Sequence, residues 1–278
     1  LRFLRAGRLT APEIAPPDWA GDAAMLGPLR GRVILLDFFS YGDPAGVRSL
    51  QRVRDLGDHY RAAGLVVIGV HVPAWSFEQR PEDARREIWR LGVPYPVALD
   101  ADLKLFRAYG LRDLPARVLV DATGRIRAWT EGPGEYEALE RAIRTLLREA
   151  HDGKDPGPPH EPLDDLPRAG TLRYLPSPEI RFGQLGVGFG PPEPDEADGD
   201  EKPAPAPASP REFEMPELRV EGRAYLDGAW SLAPDGIASA DGSGGVAVVY
   251  EGASVQIVVS PAEDEDSRLE VTLDGKPV

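Results

Sequence analysis

The 278-residue chain contains no cysteine. That absence excludes structural disulfides, thiolate metal ligands and any reaction in which a thiolate attacks a disulfide sulfur. Asparagine is also missing, there are only two methionines, and arginine far outnumbers lysine. Two readings explain this bias equally well, the loss of thermolabile residues in a thermophile and the codon usage of a GC-rich genome. Four scattered histidines offer no ligand spacing such as H-E-x-x-H, so no metal and no other cofactor is expected. Positive charge is in deficit, with 46 Asp and Glu against 32 Lys and Arg and a net charge of -14. Nucleic acid and anionic membrane surfaces, which both reward basic patches, are therefore excluded as main partners. No run approaches the roughly 20 apolar residues that cross a bilayer, so no transmembrane segment is expected. The start, Leu1-Arg2-Phe3-Leu4-Arg5, is too short and too charged for a signal peptide. A first residue other than Met and an end inside a strand-rich stretch read as a fragment or a processed product. A cytoplasmic location is favoured, and an extracytoplasmic one if the chain is such a fragment.

Glycine and proline, 30 and 29 residues, punctuate a length that admits two modest domains. Residues 1–30 read as an extended entry segment broken at Ala11-Pro12, Pro16-Pro17 and Gly27-Pro28. Val33 to Phe39 and Leu65 to Val72 are continuous apolar runs of strand length, the mark of strands buried on both faces. Between them Asp43 is a good N-cap and Pro44 suits the first helical position, and a helix follows to a stop at Gly64. Two such strands joined by a helix form a right-handed unit with parallel pairing. Further helices are expected from Arg80-Pro81 to Gly92 and from Asp102 to Gly110. Arg117 to Val120 and Arg125 to Trp129 should form a hairpin across Asp121-Ala122-Thr123-Gly124. Glu135 to Ala150 then carries Tyr136, Leu139, Ile143, Leu146 and Leu147 on one helical face.

Residues 151–212 are rich in proline and acid and read as a linker, with the acidic run Asp195 to Glu201 as a solvated spacer. Gly186-Val187-Gly188-Phe189-Gly190 imitates a phosphate loop but lacks the strand-to-helix context, so it too reads as linker. Residues 213–278 alternate short β-type segments with Gly and Asp turns, at Ala229 to Leu232, Val246 to Tyr250, Val255 to Val259 and Leu269 to Leu273. The expected class is an α/β thioredoxin-like fold, a central mixed sheet flanked by helices, over residues 31–150, then the linker and a small all-β sandwich-like module.

The fold name rests on quoted residues. Gly31-Arg32-Val33 leading into Asp37-Phe38-Phe39, Gly64 to His71, Tyr95-Pro96-Val97-Ala98-Leu99-Asp100 and Leu114-Pro115-Ala116-Arg117 together resemble the redoxin, TlpA-like branch of the thioredoxin superfamily. The likeness is greatest to the soluble part of DipZ-type thiol-disulfide oxidoreductases. It extends weakly to Ser177-Pro178-Glu179-Ile180 with Gly183, and to Gly228 to Leu232. In that family a Cys-x-x-Cys pair opens the first helix and a cis-proline faces it. The resemblance places Asp43 and Gly46 on the two cysteine positions, with Pro44 and Ala45 between them, and Leu114-Pro115 at the cis-proline. The peroxiredoxin pattern P-x-x-x-T-x-x-C fits no better, because Leu36 and Asp43 replace its proline and cysteine.

Each marked residue has a structural reading beside a functional one. Capping explains Asp43 without chemistry, and a buried, paired carboxyl explains Asp37. Asp37 with Ser40, Tyr41 and Asp43 could alternatively support cysteine-independent chemistry in the cleft. His59 and His71 read as satisfied structural histidines. Trp75 and Phe77, in a loop after the second strand, are candidates for a contact surface. Trp230 and Tyr250 could bind a carbohydrate or a protein from the β-module, although core packing is the preferred reading. The expected function is a redox-inactive binding or scaffolding module for a protein or carbohydrate of unknown identity, with no catalytic residue.

Overall fold

The computed structural model describes residues 1–4, 9–16, 18–23, 29–160, 177, 180, 182, 210–233, 236–252, 255–259 and 268–278. The chain forms two compact units, Leu1–Leu163 with Val258–Val278, and Asp164–Ile257. The predicted phosphate-loop imitation and the acidic run lie outside the described residues, as does most of the segment around Ser177.

The first unit is built on a seven-stranded sheet. Its strands are β1 (Arg2–Phe3), β2 (Trp19–Ala20), β3 (Val33–Phe39), β4 (Leu65–His71), β5 (Val97–Leu99), β6 (Ala116–Val120) and β7 (Ile126–Glu131), in the order β1-β7-β6-β3-β4-β5-β2. β3 lies at the centre because all seven of its residues are buried, and a strand covered on both faces belongs inside a sheet. It pairs parallel to β4 and antiparallel to β6. The parallel pairing needs a crossover, which α1 (Pro44–Tyr60) supplies. The hairpin expected between β6 and β7 is present.

The entry segment does more than lead in. β1 adds an edge strand beside β7, Thr10 bridges to Arg125, and β2 adds the opposite edge beside β5. These two-residue strands carry no periodicity of their own, and their pairing depends on β7 and β5 being in place.

The helices α2 (Pro81–Arg90), α3 (Lys104–Ala108) and α4 (Tyr136–Ala150) complete the unit. One face of the sheet packs Leu35, Val67 and Leu119 against Val53, Leu56 and Tyr60 of α1 and Leu139, Ile143 and Leu146 of α4. The other buries Leu36, Phe38, Ile68, Val70 and Val118 with Leu105 of α3. One start signal was misplaced by the sequence reading. Asp100, not Asp102, satisfies the first turn of α3: its buried carboxylate accepts the Leu105 and Phe106 N–H groups at 2.9 and 2.8 Å, while the Asp102 carboxylate pairs with the Lys104 ammonium and meets the Lys104 N–H only at 3.4 Å. Residues 151–160, read as the start of a linker, return to the helices, with Arg144 of α4 donating to Gly157 C=O and His160 N–H donating to Glu140.

The C-terminal region is all-β and antiparallel. The long strand β9 (Arg223–Ala233) pairs with β8 (Arg211–Phe213), β10 (Gly236–Ser239) and β11 (Gly245–Val249). A separate ribbon joins β12 (Thr272–Leu273) to β13 (Lys276–Pro277). The strand expected at Val255 to Val259 does not form, and of Leu269 to Leu273 only Thr272–Leu273 is paired. Alternating apolar residues make a strand only where a neighbour accepts its backbone groups. Ile257 and Val259, instead of entering a core, are 51% and 59% exposed.

Candidate functional site

The predicted site residues converge at the C-terminal end of β3. Phe39 is level with His71 of β4, and Phe38 with Ala116 of β6. Leu114 and Pro115 immediately precede Ala116, so they follow on beside the end of β3. The Leu114–Pro115 bond is cis, as the resemblance implied. Leu114 is half-buried and Pro115 buried.

Asp43 is the N-cap of α1. Its Oδ1 accepts the Ala45 N–H at 2.9 Å and its Oδ2 the Gly46 N–H at 3.0 Å, with Pro44 in the first turn. Two otherwise orphaned helix donors are thereby satisfied, and the negative charge sits at the positive end of the helix dipole. The carboxylate is half-buried, Ala45 likewise, and Gly46 is buried. Asp43→Ala is expected to cost about 1 kcal/mol of unfolding free energy, measured as a shift in urea midpoint at constant slope.

Beneath this helix start lies a buried polar cluster that the sequence reading only half anticipated. Ser40, fully buried, directs its hydroxyl at both carboxylate oxygens of Glu78, at 2.7 and 2.8 Å, and accepts the Gly42 N–H at 3.1 Å. His71 Nε2 lies 3.0 Å from the second oxygen of Glu78. The Tyr41 ring stacks on the His71 ring with centroids 5.0 Å apart, and its hydroxyl donates to Phe77 C=O at 3.2 Å. Burial, then repulsion from Glu78, Asp83 and Glu87, pushes the Tyr41 phenol up to about 12. His71 is thus a satisfied structural histidine. His59 contacts Pro158 C=O at 2.9 Å away from this cluster. Glu78 escaped notice because it stands in a charged stretch with Glu82 and Asp83, where nothing local marks one acid as buried.

Asp37, one step further down β3, is also fully buried and is level with Gly69 on one side and Arg117 on the other. A Cβ on Gly69 would meet Val97 Cγ2 at 2.8 Å and the Tyr95 ring at 3.2 Å. The bare glycine therefore leaves room for Tyr95, whose hydroxyl reaches Asp37 Oδ2 at 3.4 Å. Arg117 Nε is 3.5 Å from Asp37 Oδ1, but neither atom makes an aligned hydrogen bond. The remaining guanidinium nitrogens donate to Gly132 C=O and Tyr136 Oη, at 3.2 and 3.3 Å. Burial raises the Asp37 carboxyl to about 6, against the opposing pull of Arg117 and Tyr95. A readable signal for Arg117 existed: one acid and one base, each alone in an apolar strand, are expected to meet.

Trp75 and Phe77 flank the cluster, both half-buried. Trp230 and Tyr250 belong to the all-β region, are half-buried, and the Trp230 indole N–H donates to Asp227 C=O at 2.8 Å. Nothing among the described residues groups three or more metal-ligating side chains, and no described helix is long and apolar enough to cross a membrane.

Proteins similar to this chain bear on its ancestry. DipZ of Mycobacterium bovis and of Mycobacterium tuberculosis are each 34% identical over 272 residues, 98% of this chain and 36% of theirs. The chain thus spans about a third of the length of those relatives. The thiol-disulfide oxidoreductase ResA of Geobacillus kaustophilus is 25% identical over 139 residues, 49% of this chain and 76% of that protein. Among solved structures, a thiol-disulfide isomerase from Corynebacterium glutamicum is 27% identical and covers 49% of this chain and 96% of its own, with a TM-score of 0.42. The model of the AhpC/TSA family matches residues 8–129, and that of the thioredoxin like C-terminal domain matches 196–278. The chain thus carries a redoxin domain of the thioredoxin superfamily, similar to thiol-disulfide oxidoreductases but without cysteine, followed by an all-β C-terminal region that matches the thioredoxin like C-terminal domain.

Proposed function

We propose that the start of α1 is the place of a lost Cys-x-x-Cys pair, with Asp43 and Gly46 in the two cysteine positions, and that the protein works as a redox-inactive binding or scaffolding module. The observation that carries this reading is Asp43. Its carboxylate takes the amide hydrogen bonds at the head of the helix, so an anion fills the place where a thiolate would gain the same stabilisation. No group at this helix start can exchange a disulfide, because the chain has no cysteine.

Cysteine-independent chemistry at the same cleft is the weaker alternative. Asp43 has both oxygens engaged in capping, Asp37, Ser40 and His71 are at most 2% exposed, and the half-buried Tyr41 donates its hydroxyl to Phe77 C=O, so each of these groups is buried or already engaged. Binding through Trp230 is also weaker support for function, because the indole N–H is already engaged.

An extended peptide with blocked thiols, the carboxymethylated insulin B chain, serves as the probe. Saturable binding is expected, read by tryptophan fluorescence, with the response lost in Trp75→Phe. Absence of saturable binding up to millimolar peptide would remove the binding reading.

A further inference from the structure

The segment Pro73 to Arg80 leaves the end of β4, passes over the head of α1 and enters α2. It contains one 3₁₀ turn, Ser76–Glu78, in which Glu78 N–H donates to Trp75 C=O and Gln79 N–H to Ser76 C=O. Those bonds close within the segment. Side-chain contacts of Glu78, Trp75 and Phe77 join it to the loop before α1.

The Glu78 carboxylate, its side chain wholly buried, receives Ser40 Oγ–H and faces His71 Nε2. Ser40 passes the link on by accepting the Gly42 N–H. One carboxylate on the segment therefore ties together the end of β3, the end of β4 and the loop that leads to the Asp43 cap. Trp75 and Glu78 both close on Gly42: a Cβ there would be 2.6 Å from Trp75 Cδ1 and 2.7 Å from Glu78 Oε1, so a larger residue would push the strap away. Tyr41 clasps the other side, through its hydroxyl on Phe77 C=O and its ring 6.0 Å from that of Phe77.

We infer that Pro73–Arg80 is a strap, closed over the loop 40–43 and latched from beneath by Glu78, and that it opens as a unit without unfolding the domain. Glu78 is a positioning residue. It sets the common placement of Tyr41, Trp75 and Phe77, and through Ser40 the shape of the turn before α1. Opening uncovers Gly42 and the first turn of the helix. This inference stands on the contacts of the strap and does not depend on the binding reading above.

The latch makes a local prediction. Removing the carboxylate leaves Ser40 and His71 buried without their acceptor, a loss that favours the open strap locally. In the full chain carrying Glu78→Ala, amide hydrogen exchange at Gly42 and Asp43, whose N–H groups are bonded to Ser40 beneath the strap, is expected to accelerate on the order of 100-fold, the scale of one or two unpaired buried polar groups. That exchange should stay nearly independent of low urea concentrations, as an opening that exposes little surface requires, while exchange at Ile143 and Leu146 in α4 follows the full urea slope of global unfolding. Gly42→Ala presses on Trp75 and on the Glu78 carboxylate without removing it, and should accelerate exchange at Asp43. Should the Glu78 variant fail to fold, Ser40→Ala supplies the same reading at Asp43, whose acceptor is the Ser40 backbone carbonyl. A urea slope at Asp43 equal to that of α4, or no acceleration at Asp43 in Glu78→Ala and Gly42→Ala, would overturn the inference.

Discussion

The double variant Asp43→Cys, Gly46→Cys is expected to form an intramolecular disulfide under mild oxidation and to acquire dithiol activity that the parent lacks. The two positions stand three residues apart at the head of α1, a rise of about 4.5 Å along the axis, and disulfides bridge Cα atoms about 4.4–6.8 Å apart. Gly46 has a backbone that accepts a side chain. A Cβ built on it lies 3.0 Å from Ser40 C=O and 3.6 Å from Phe39 Cβ, while its contact with Asp43 Oδ2 at 3.2 Å disappears in the same variant. Ser40 has only a few tenths of an ångström to give. The first sulfur would inherit the amide donors that now hold Asp43, and these favour a thiolate. Mass spectrometry before and after alkylation reads the outcome directly. Two free thiols in a folded, oxidised sample would show that the head of α1 does not correspond to a Cys-x-x-Cys site.

The second large effect comes from Asp37 and depends on pH. Its carboxyl titrates near 6 in the folded chain, raised from 3.8 chiefly by burial. A carboxyl raised in the folded state binds its proton more tightly folded than unfolded, so it contributes stability below its unfolded value and loses that contribution as pH rises through its folded value. The window runs from about pH 4 to 6, and a shift of that size corresponds to about 3 kcal/mol. Asp37→Asn has no such group and should lack this component of the pH dependence. Above pH 6 the variant is expected to match or exceed the wild type, by up to about 3 kcal/mol. That sign follows from burial: the cost of holding a carboxylate inside the strand outweighs the pull of Arg117, whose 3.5 Å approach lacks an aligned hydrogen bond. Arg117 keeps its bonds to Gly132 and Tyr136 in the variant. Urea unfolding of both proteins at pH 4.5 and 7.5 tests this. An asparagine variant markedly less stable than wild type at pH 7.5 would mean that the ion pair is net stabilising.

Much of the redoxin unit was legible because its signals are local and strong. The apolar runs of β3 and β4, the Asp43-Pro44 helix start and the glycines Gly64, Gly92 and Gly110 after the first three helices all name their own structure, and each is found in place. Long-range partners were not legible. The edge strands at Arg2–Phe3 and Trp19–Ala20 are too short to show a period, and Asp100 was passed over because its capping role depends on a turn between it and α3. In the C-terminal region the short β-type segment Val255 to Val259 suggested a strand, yet an apolar, β-branched run cannot say whether a neighbour exists.

The candidate site divides in the same way. Asp43 and the burial of Asp37 were readable from neighbouring residues, and the cis Leu114–Pro115 bond was implied by the resemblance. Glu78 was not, because its role is set by Ser40, 38 positions earlier, and by a strap whose course no pattern describes. Arg117 occupied the middle ground. It was quoted as part of a motif, and its isolation in an apolar strand pointed to a buried counter-charge that the register then identified as Asp37.

The measurement that bears most directly on the central claim is dithiothreitol-driven insulin reduction by the native chain, followed by turbidity beside the double-cysteine variant. The account predicts that the native chain runs at the rate of the buffer blank while the variant exceeds it. Turnover by the native chain above that blank would contradict the account, because it would require disulfide exchange from a protein without a thiol.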